Sequence, residues 1–207
     1  QLDRAIALAA QRGFQRARAA GHASMIVVPV HYDSLSSVSR RMEYFSVLHP
    51  IPEPARKFFL LRVDGIPDGA PMAQMQEVFR SMKHFGAYVL AHHSFGSKRL
   101  DRFESCGIGV LSAETPKRLN DGSVSELDLL SCVEWVAAAR SLTAETCLTQ
   151  ISSPALVEAA MSAGIRYFSG PIIGKETDQP APARRLGLAE ILNPPADDDD
   201  GGTFEID

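Results

Sequence analysis

Ala91–Gly96 reads AHHSFG and follows directly on the apolar run Ala87–Leu90, so two imidazoles and a hydroxyl stand at the end of a predicted strand. Neutral imidazole ligates transition metals and serves as a general base near neutral pH, which makes this cluster the first candidate for chemistry. His31 and His84 are the further imidazoles that a metal site would recruit. Successive side chains on a strand point to opposite faces, so His92 and His93 do not both look into one pocket. A single inward histidine is more often a hydrogen-bonded core residue than a ligand, and no metal is expected here.

Other groups invite a similar weighing. Asp64 opens the run Asp64-Gly65-Ile66-Pro67-Asp68-Gly69, which is dense in turn formers and reads as a turn before it reads as a carboxylate ligand. Cys106, next to Gly107, has no histidine or aspartate at a spacing that would activate it, so a small buried residue is expected. Arg40–Arg41 and Arg184–Arg185 are two phosphate-sized cation pairs, and such pairs are usually solvated faces.

The elements that position these residues alternate. Helices are predicted at Leu2–Ala20, Ser34–Val47, Met72–Phe85, Leu100–Glu104, Glu126–Ser141 and Pro154–Ala163. Strands are predicted at Ser24–Val30, Lys57–Val63, Ala87–Ala91, Gly107–Leu111, Glu145–Ile151 and Ile165–Ser169. Apolar faces are assigned to Leu2, Ile6, Ala9, Ala10 and Phe14 on the first helix, and to Leu129, Leu130, Val133, Val136 and Ala137 on the fifth. Pro29 counts against a central position for the first strand. Strand–helix alternation predicts βαβ units and a parallel sheet, either barrel-like or doubly wound. Six strands are too few for a closed eight-stranded barrel.

The chain has 207 residues, 45% hydrophobic and 22% charged, which suits one soluble globular domain. A net charge of −4 argues against a nucleic-acid surface. The three cysteines fit no disulfide or zinc pattern and are expected reduced, in the cytoplasm. No apolar run is long enough to span a membrane, and no membrane contact is expected of this segment. The chain opens at Gln1, so a longer protein is expected around it. Residues 1–192 are assigned to the domain and 193–207, with Asp197–Asp200, to an acidic disordered tail.

Phe95-Gly96 after an apolar strand, the turn Ala163-Gly164-Ile165 and the sequence Ser169-Gly170-Pro171 carry a resemblance. Over Leu2–Gly174 the order and spacing of segments resemble the EAL family, the cyclic di-GMP phosphodiesterases built on a TIM barrel. The resemblance implies an α/β, TIM-barrel-like fold of the EAL type. It places the family's leading strand and Glu-Ala-Leu signature before Gln1. In that family two metal ions, bridged by carboxylates, lower the pKa of the attacking water, and a lysine assists.

The resemblance sets Pro29 and His31 where the family has Asn and Ser, and Asp64 or Gly65 where it has a glutamate ligand. His93 and Ser94 fall on its paired aspartates, with His92 just before. Ser112 and Glu114 replace its Lys-x-Asp, with no lysine until Lys117. Thr149, Gln150, Ile151 and Ser152 replace Glu-Gly-Val-Glu, and Ser169-Gly170 replaces Gln-Gly. Gly170–Gly174 then resembles a phosphate-binding turn at a barrel strand's end.

Carboxylates and lysine lost together leave no plausible two-metal site, so no catalytic residue and no cofactor are expected. The implied role is a non-catalytic regulatory module in bacterial signalling that works through a protein partner or homodimer. A cyclic di-GMP receptor without hydrolysis is the first alternative. The second is an enzyme of different chemistry, with His31, His93, Ser112, Thr149 and Ser169 converging at the barrel mouth.

Overall fold

The computed structural model describes residues 1–22, 24–97, 99–121, 124–174 and 187–192. The predicted acidic tail and Arg184–Arg185 lie outside the described residues. Six strands form one sheet: β1 (Ile26–His31), β2 (Phe59–Asp64), β3 (Tyr88–His92), β4 (Val110–Glu114), β5 (Glu145–Thr149) and β6 (Tyr167–Phe168). The helices are α1 (Leu2–Ala19), α2 (Asp33–Ser36), α3 (Val38–Leu48), α4 (Glu53–Arg56), α5 (Met72–Met82), α6 (Lys117–Asp121), α7 (Glu126–Ser141), α8 (Pro154–Ala163) and α9 (Leu188–Leu192).

All pairings are parallel, and the strand order β1-β2-β3-β4-β5-β6 is the chain order. A doubly wound sheet reverses its order partway, so that alternative is excluded. Strands laid down in sequence, with helices between them on one side, are the winding of a TIM-type barrel. β1 and β6 are the edges of the described sheet. Pro29 sits in β1, where a missing ladder donor is tolerated.

One face of the sheet is sealed under helices. Val28 and Val30, Leu61 and Val63, Ala91, Leu111, Ala113 and Leu148 alternate along the strands and are almost wholly buried there. The inner face carries the other alternate set, and a cavity of about 370 Å³ opens on it between Val27, Leu60, Arg62, Leu90, Ser112 and Thr149. α1 covers the sheet with Ala7, Phe14 and Ala17, while the expected face residue Leu2 is 73% exposed. Asp3 in its first turn and Arg16 and Arg18 in its last oppose the helix dipole favourably.

Several expected boundaries move. The predicted helix Ser34–Val47 is two helices, because Ser37 turns extended and its hydroxyl caps α3 by accepting from the Arg40 amide at 3.3 Å. Leu100–Glu104 is a 3-10 turn over Asp101–Phe103. β4 begins three residues later than expected, because Gly107 has φ +63 and Gly109 passes so close to Tyr88 that a Cβ would stand 2.6 Å from its ring. Strands β1 to β4 each run past the expected end and take in His31, Asp64, His92, and Ser112 with Glu114. On α7 the buried side is Asp128, Cys132, Trp135, Val136 and Ala139; the expected face residues Leu130 and Val133 point outward, 52% and 45% exposed. Among the described residues no helix is long and apolar enough to cross a membrane.

Candidate functional site

The C-terminal ends of β1 to β5 bring polar side chains onto one rim. The register pairs His31 with Asp64, His92 with Ser112 and Glu114 with Thr149. Asp64 ends β2, and Gly65 follows it at φ +65 with the His31 ring lying over it. Asp64, expected in a turn, is the last residue of a strand.

Arg62 stands two residues before Asp64 on the same strand face. Its Nε donates to Asp64 Oδ1 and its other guanidinium nitrogen donates to Oδ2, each at 2.8 Å. The pair is 24% and 27% exposed, partly withdrawn from water. Bidentate guanidinium–carboxylate contact satisfies both oxygens in one plane.

His92 turns its Nδ1 to the Ser112 hydroxyl at 3.0 Å. Burial pushes its pKa below the ordinary value; Asp64 pulls it up and Arg62 pushes it down. Ser112 is wholly buried. Its hydroxyl is a partner for the imidazole, not an exposed nucleophile. Thr149 spends its hydroxyl on the Ala113 carbonyl at 3.2 Å.

His93, expected on this rim, borders a cleft there with Gly65, His92 and Glu114, but its ring leans into the core. Alternation sends its ring behind the sheet, edge-on to Phe103 at 5.6 Å, with Nε2 buried and unpartnered. Burial, then Arg102, lower its pKa. His31, exposed on the rim, takes the Asp33 amide on Nδ1 at 3.4 Å. Ser94 lies in the loop beyond, exposed, with its carbonyl bound by the Ser97 amide.

Gly170 does not begin a phosphate cradle. The amides of Ile172, Ile173 and Gly174 donate to the carbonyls of Ile151, Gly170 and Gly170. The Ser169 amide is bound to Leu148. Those donors are spent on the turn itself. Arg41, expected as a solvated cation, is 5% exposed and binds the Leu35 carbonyl and Glu77. The thiols are buried or half-buried, and burial raises all three, Cys132 and Cys147 to about 11. They are protonated at neutral pH and weak as nucleophiles.

The donor set does not fit a pair of divalent cations. Such ions need several hard oxygen ligands. The strand-end carboxylates on this rim are Asp64 and Glu114, and Asp64 is held on both oxygens by a fixed positive charge; Asp3 and Asp33 stand against the His31 amide and ring. Among the described residues no three His, Cys, Asp or Glu side chains gather to hold a metal. Arg62 was missed in the sequence. The pattern Arg-x-Asp at a strand's end, two charges on one face, was the signal that would have found it.

Solved structures with this fold are EAL domains. The Bacillus subtilis YkuI protein with an EAL domain, in complex with substrate c-di-GMP and calcium, matches at TM-score 0.63 and 16% identity over 81% of this chain and 41% of its own. The PaMucR phosphodiesterase, a c-di-GMP complex, matches at 0.69 and 15% over 84% and 71%. The Xanthomonas citri FimX EAL domain in complex with c-di-GMP matches at 0.59 and 16% over 90% and 72%. This chain therefore has the TIM-barrel-like fold of EAL domains, and it spans less than half the length of the YkuI chain. No family model and no curated protein matches it.

Proposed function

We propose that this chain is a regulatory EAL-like module that does not hydrolyse cyclic di-GMP and works in bacterial signalling, in the cytoplasm, by contact with protein. The observation that carries the reading is the Arg62–Asp64 pair. It puts a guanidinium on Asp64, one of the two residues that the family resemblance sets at its glutamate ligand. A cation there repels divalent metal and occupies one lone pair on each carboxylate oxygen. Here the Asp64 charge is neutralised by Arg62.

A second reading, reception without hydrolysis, draws on the same pair. Arg62 remains 24% exposed at the cavity and is chemically suited to a phosphodiester. Three structures of this fold hold c-di-GMP. Different chemistry on the barrel, the third reading, lacks support from Ser112, whose hydroxyl is sealed against His92.

Incubating the chain with cyclic di-GMP and magnesium or manganese, with product separated by chromatography, tests the first reading. No linear dinucleotide above the blank is expected, and metal-dependent turnover overturns it. Titration calorimetry without metal separates receptor from contact module.

A further inference from the structure

The C-terminal half of α1 carries a surface that the mouth does not use. A cavity of about 340 Å³ opens between α1, the turn at residues 50–52 and α4, with Phe14, Ile51, Ala55 and Phe59 as its floor and Arg18 and Pro52 on its rim. Phe59 begins β2, so the cavity lies at the end of the sheet opposite the strand ends at His31, Asp64 and His92. Gln15 and Ala19 line it and also line a shallow bowl on the outer side of α1, where Arg12 and Arg16 stand. Arg12, Arg16 and Arg18 are exposed and have no ion-pair partner among the described residues. An apolar slot beside unpaired guanidiniums suits an extended acidic segment that carries an apolar anchor.

We propose that this surface is the docking site of the chain's own residues 197–207, with the four aspartates at 197–200 over Arg12 and Arg16 and Phe204 in the cavity. The segment reads DDDDGGTFEID and holds six carboxylates. The chain's formal net charge of −4 becomes +2 when those six are set aside, so an acidic segment faces a basic body. Phe204 and Ile206 alternate with Thr203, Glu205 and Asp207; an extended backbone turns both apolar groups to one side and the charges to the other. Aspartates and aromatic ring are neighbours in the sequence, as basic bowl and apolar slot are on α1. The reach also suffices. α9 ends at Leu192 and packs on α8, the helix between β5 and β6, while α1 packs on β1. Val27 of β1 and Tyr167 of β6 line one cavity of about 370 Å³, so the two edges of the sheet face each other across it. Residues 193–203 span up to about 35 Å when extended, several times the width of such a cavity.

The site lies away from the mouth, so the inference goes beyond the non-catalytic reading and stands or falls separately from it. Nitrogen-15 relaxation on the 207-residue chain at low salt is expected to show residues 203–207 tumbling with the folded body, with positive heteronuclear Overhauser enhancements that do not change on dilution. Phe204→Ser should turn those enhancements negative and shift the amide signals of Gln15, Ala19 and Ile51. Sodium chloride at about 0.5 M should release the segment as well, because the exposed charges are then screened. Arg12→Glu with Arg16→Glu should release it at low salt, and adding Asp198→Lys with Asp199→Lys should recapture it. All four substitutions fall on exposed α1 positions or on the segment, so the far-ultraviolet spectrum is expected to stay unchanged. Negative enhancements in the unaltered chain, Phe204→Ser without shifts at the cavity, or lysines that fail to recapture the segment overturn the proposal. Enhancements that fall on dilution overturn it too, since they assign the segment to a neighbouring copy.

Discussion

Arg62 and Asp64 stand two residues apart on one face of β2, and the guanidinium reaches both carboxylate oxygens at 2.8 Å. A strand's two-residue period makes such a pair local. It forms without help from any other element, and it shares the rim with His31, His92, Glu114 and Thr149, the last residues of the neighbouring strands.

The pair predicts a metal-blind rim. Magnesium that bound the folded chain alone would raise its melting temperature by mass action. Scanning calorimetry with and without millimolar magnesium is expected to show no shift. Asp64→Asn strands the guanidinium half-buried and should cost about 1 kcal/mol, between the values for exposed and buried pairs. A magnesium-dependent rise that Asp64→Asn abolishes would show that the carboxylate is a ligand after all.

His92 and His93 predict an acid limb. Burial lowers both from the ordinary 6.5. The unfolded chain then takes up protons at a higher pH than the folded one. Stability is full above 6.5 and falls as pH drops through the window beneath it. His93→Phe keeps the edge contact with Phe103 and removes the orphaned Nε2. It should raise stability by about 1 kcal/mol and flatten the limb between pH 7 and 5. Denaturant midpoints across that range decide; a limb of unchanged slope clears His93 of the effect.

Much of this architecture was legible as text. Alternating elements gave a parallel α/β sheet, and the spacing of Phe95-Gly96 and Ser169-Gly170 gave the barrel type that the solved EAL domains bear out. The rim was less legible, because its facts turn on single residues of register. Ending β3 at His92 rather than Ala91 decides which imidazole meets Ser112. β4 runs from Val110 to Glu114 rather than from Gly107 to Leu111, which brings Ser112 and Glu114 into the sheet, and the positive φ of Gly107 and the close pass of Gly109 at Tyr88 set that start. Arg41 looked solvated because burial of a cation depends on Leu35 and Glu77, which lie on other elements. Outer and inner sides of α7 were exchanged in part because both are apolar, so periodicity does not rank them.

Two glycines are expected to differ in what they tolerate. A Cβ on Gly65 would meet the His31 ring, 2.0 Å from Nε2, but His31 is an exposed side chain that can swing away. A Cβ on Gly170 would meet backbone, 2.3 Å from the Ile151 nitrogen, and backbone held by the β5 end cannot move. Both positions have positive φ, +65 and +148. Gly65→Ala should cost about 1 kcal/mol, and Gly170→Ala more than about 2 kcal/mol. Equal midpoints in urea would contradict the close approach at Ile151.

Ser125 begins α7 with a reciprocal cap: its hydroxyl accepts from the Asp128 amide at 3.3 Å while the Asp128 carboxylate accepts from the Ser125 amide at 3.1 Å. Hydrogen bonds from Ser125, then Arg118, hold the Asp128 carboxyl below its ordinary 3.8. A depressed carboxyl stabilises the fold above that value, and the contribution disappears as pH falls through the folded pKa. This acid loss lies below the histidine limb, so the two separate on a pH series. Ser125→Ala removes the cap and should cost about 1 kcal/mol. It should also fray the turn that carries Glu126 and Leu127. Amide exchange confined to the first turn of α7 would tie the loss of stability to the cap, and exchange spread over the whole chain would assign it to general destabilisation instead.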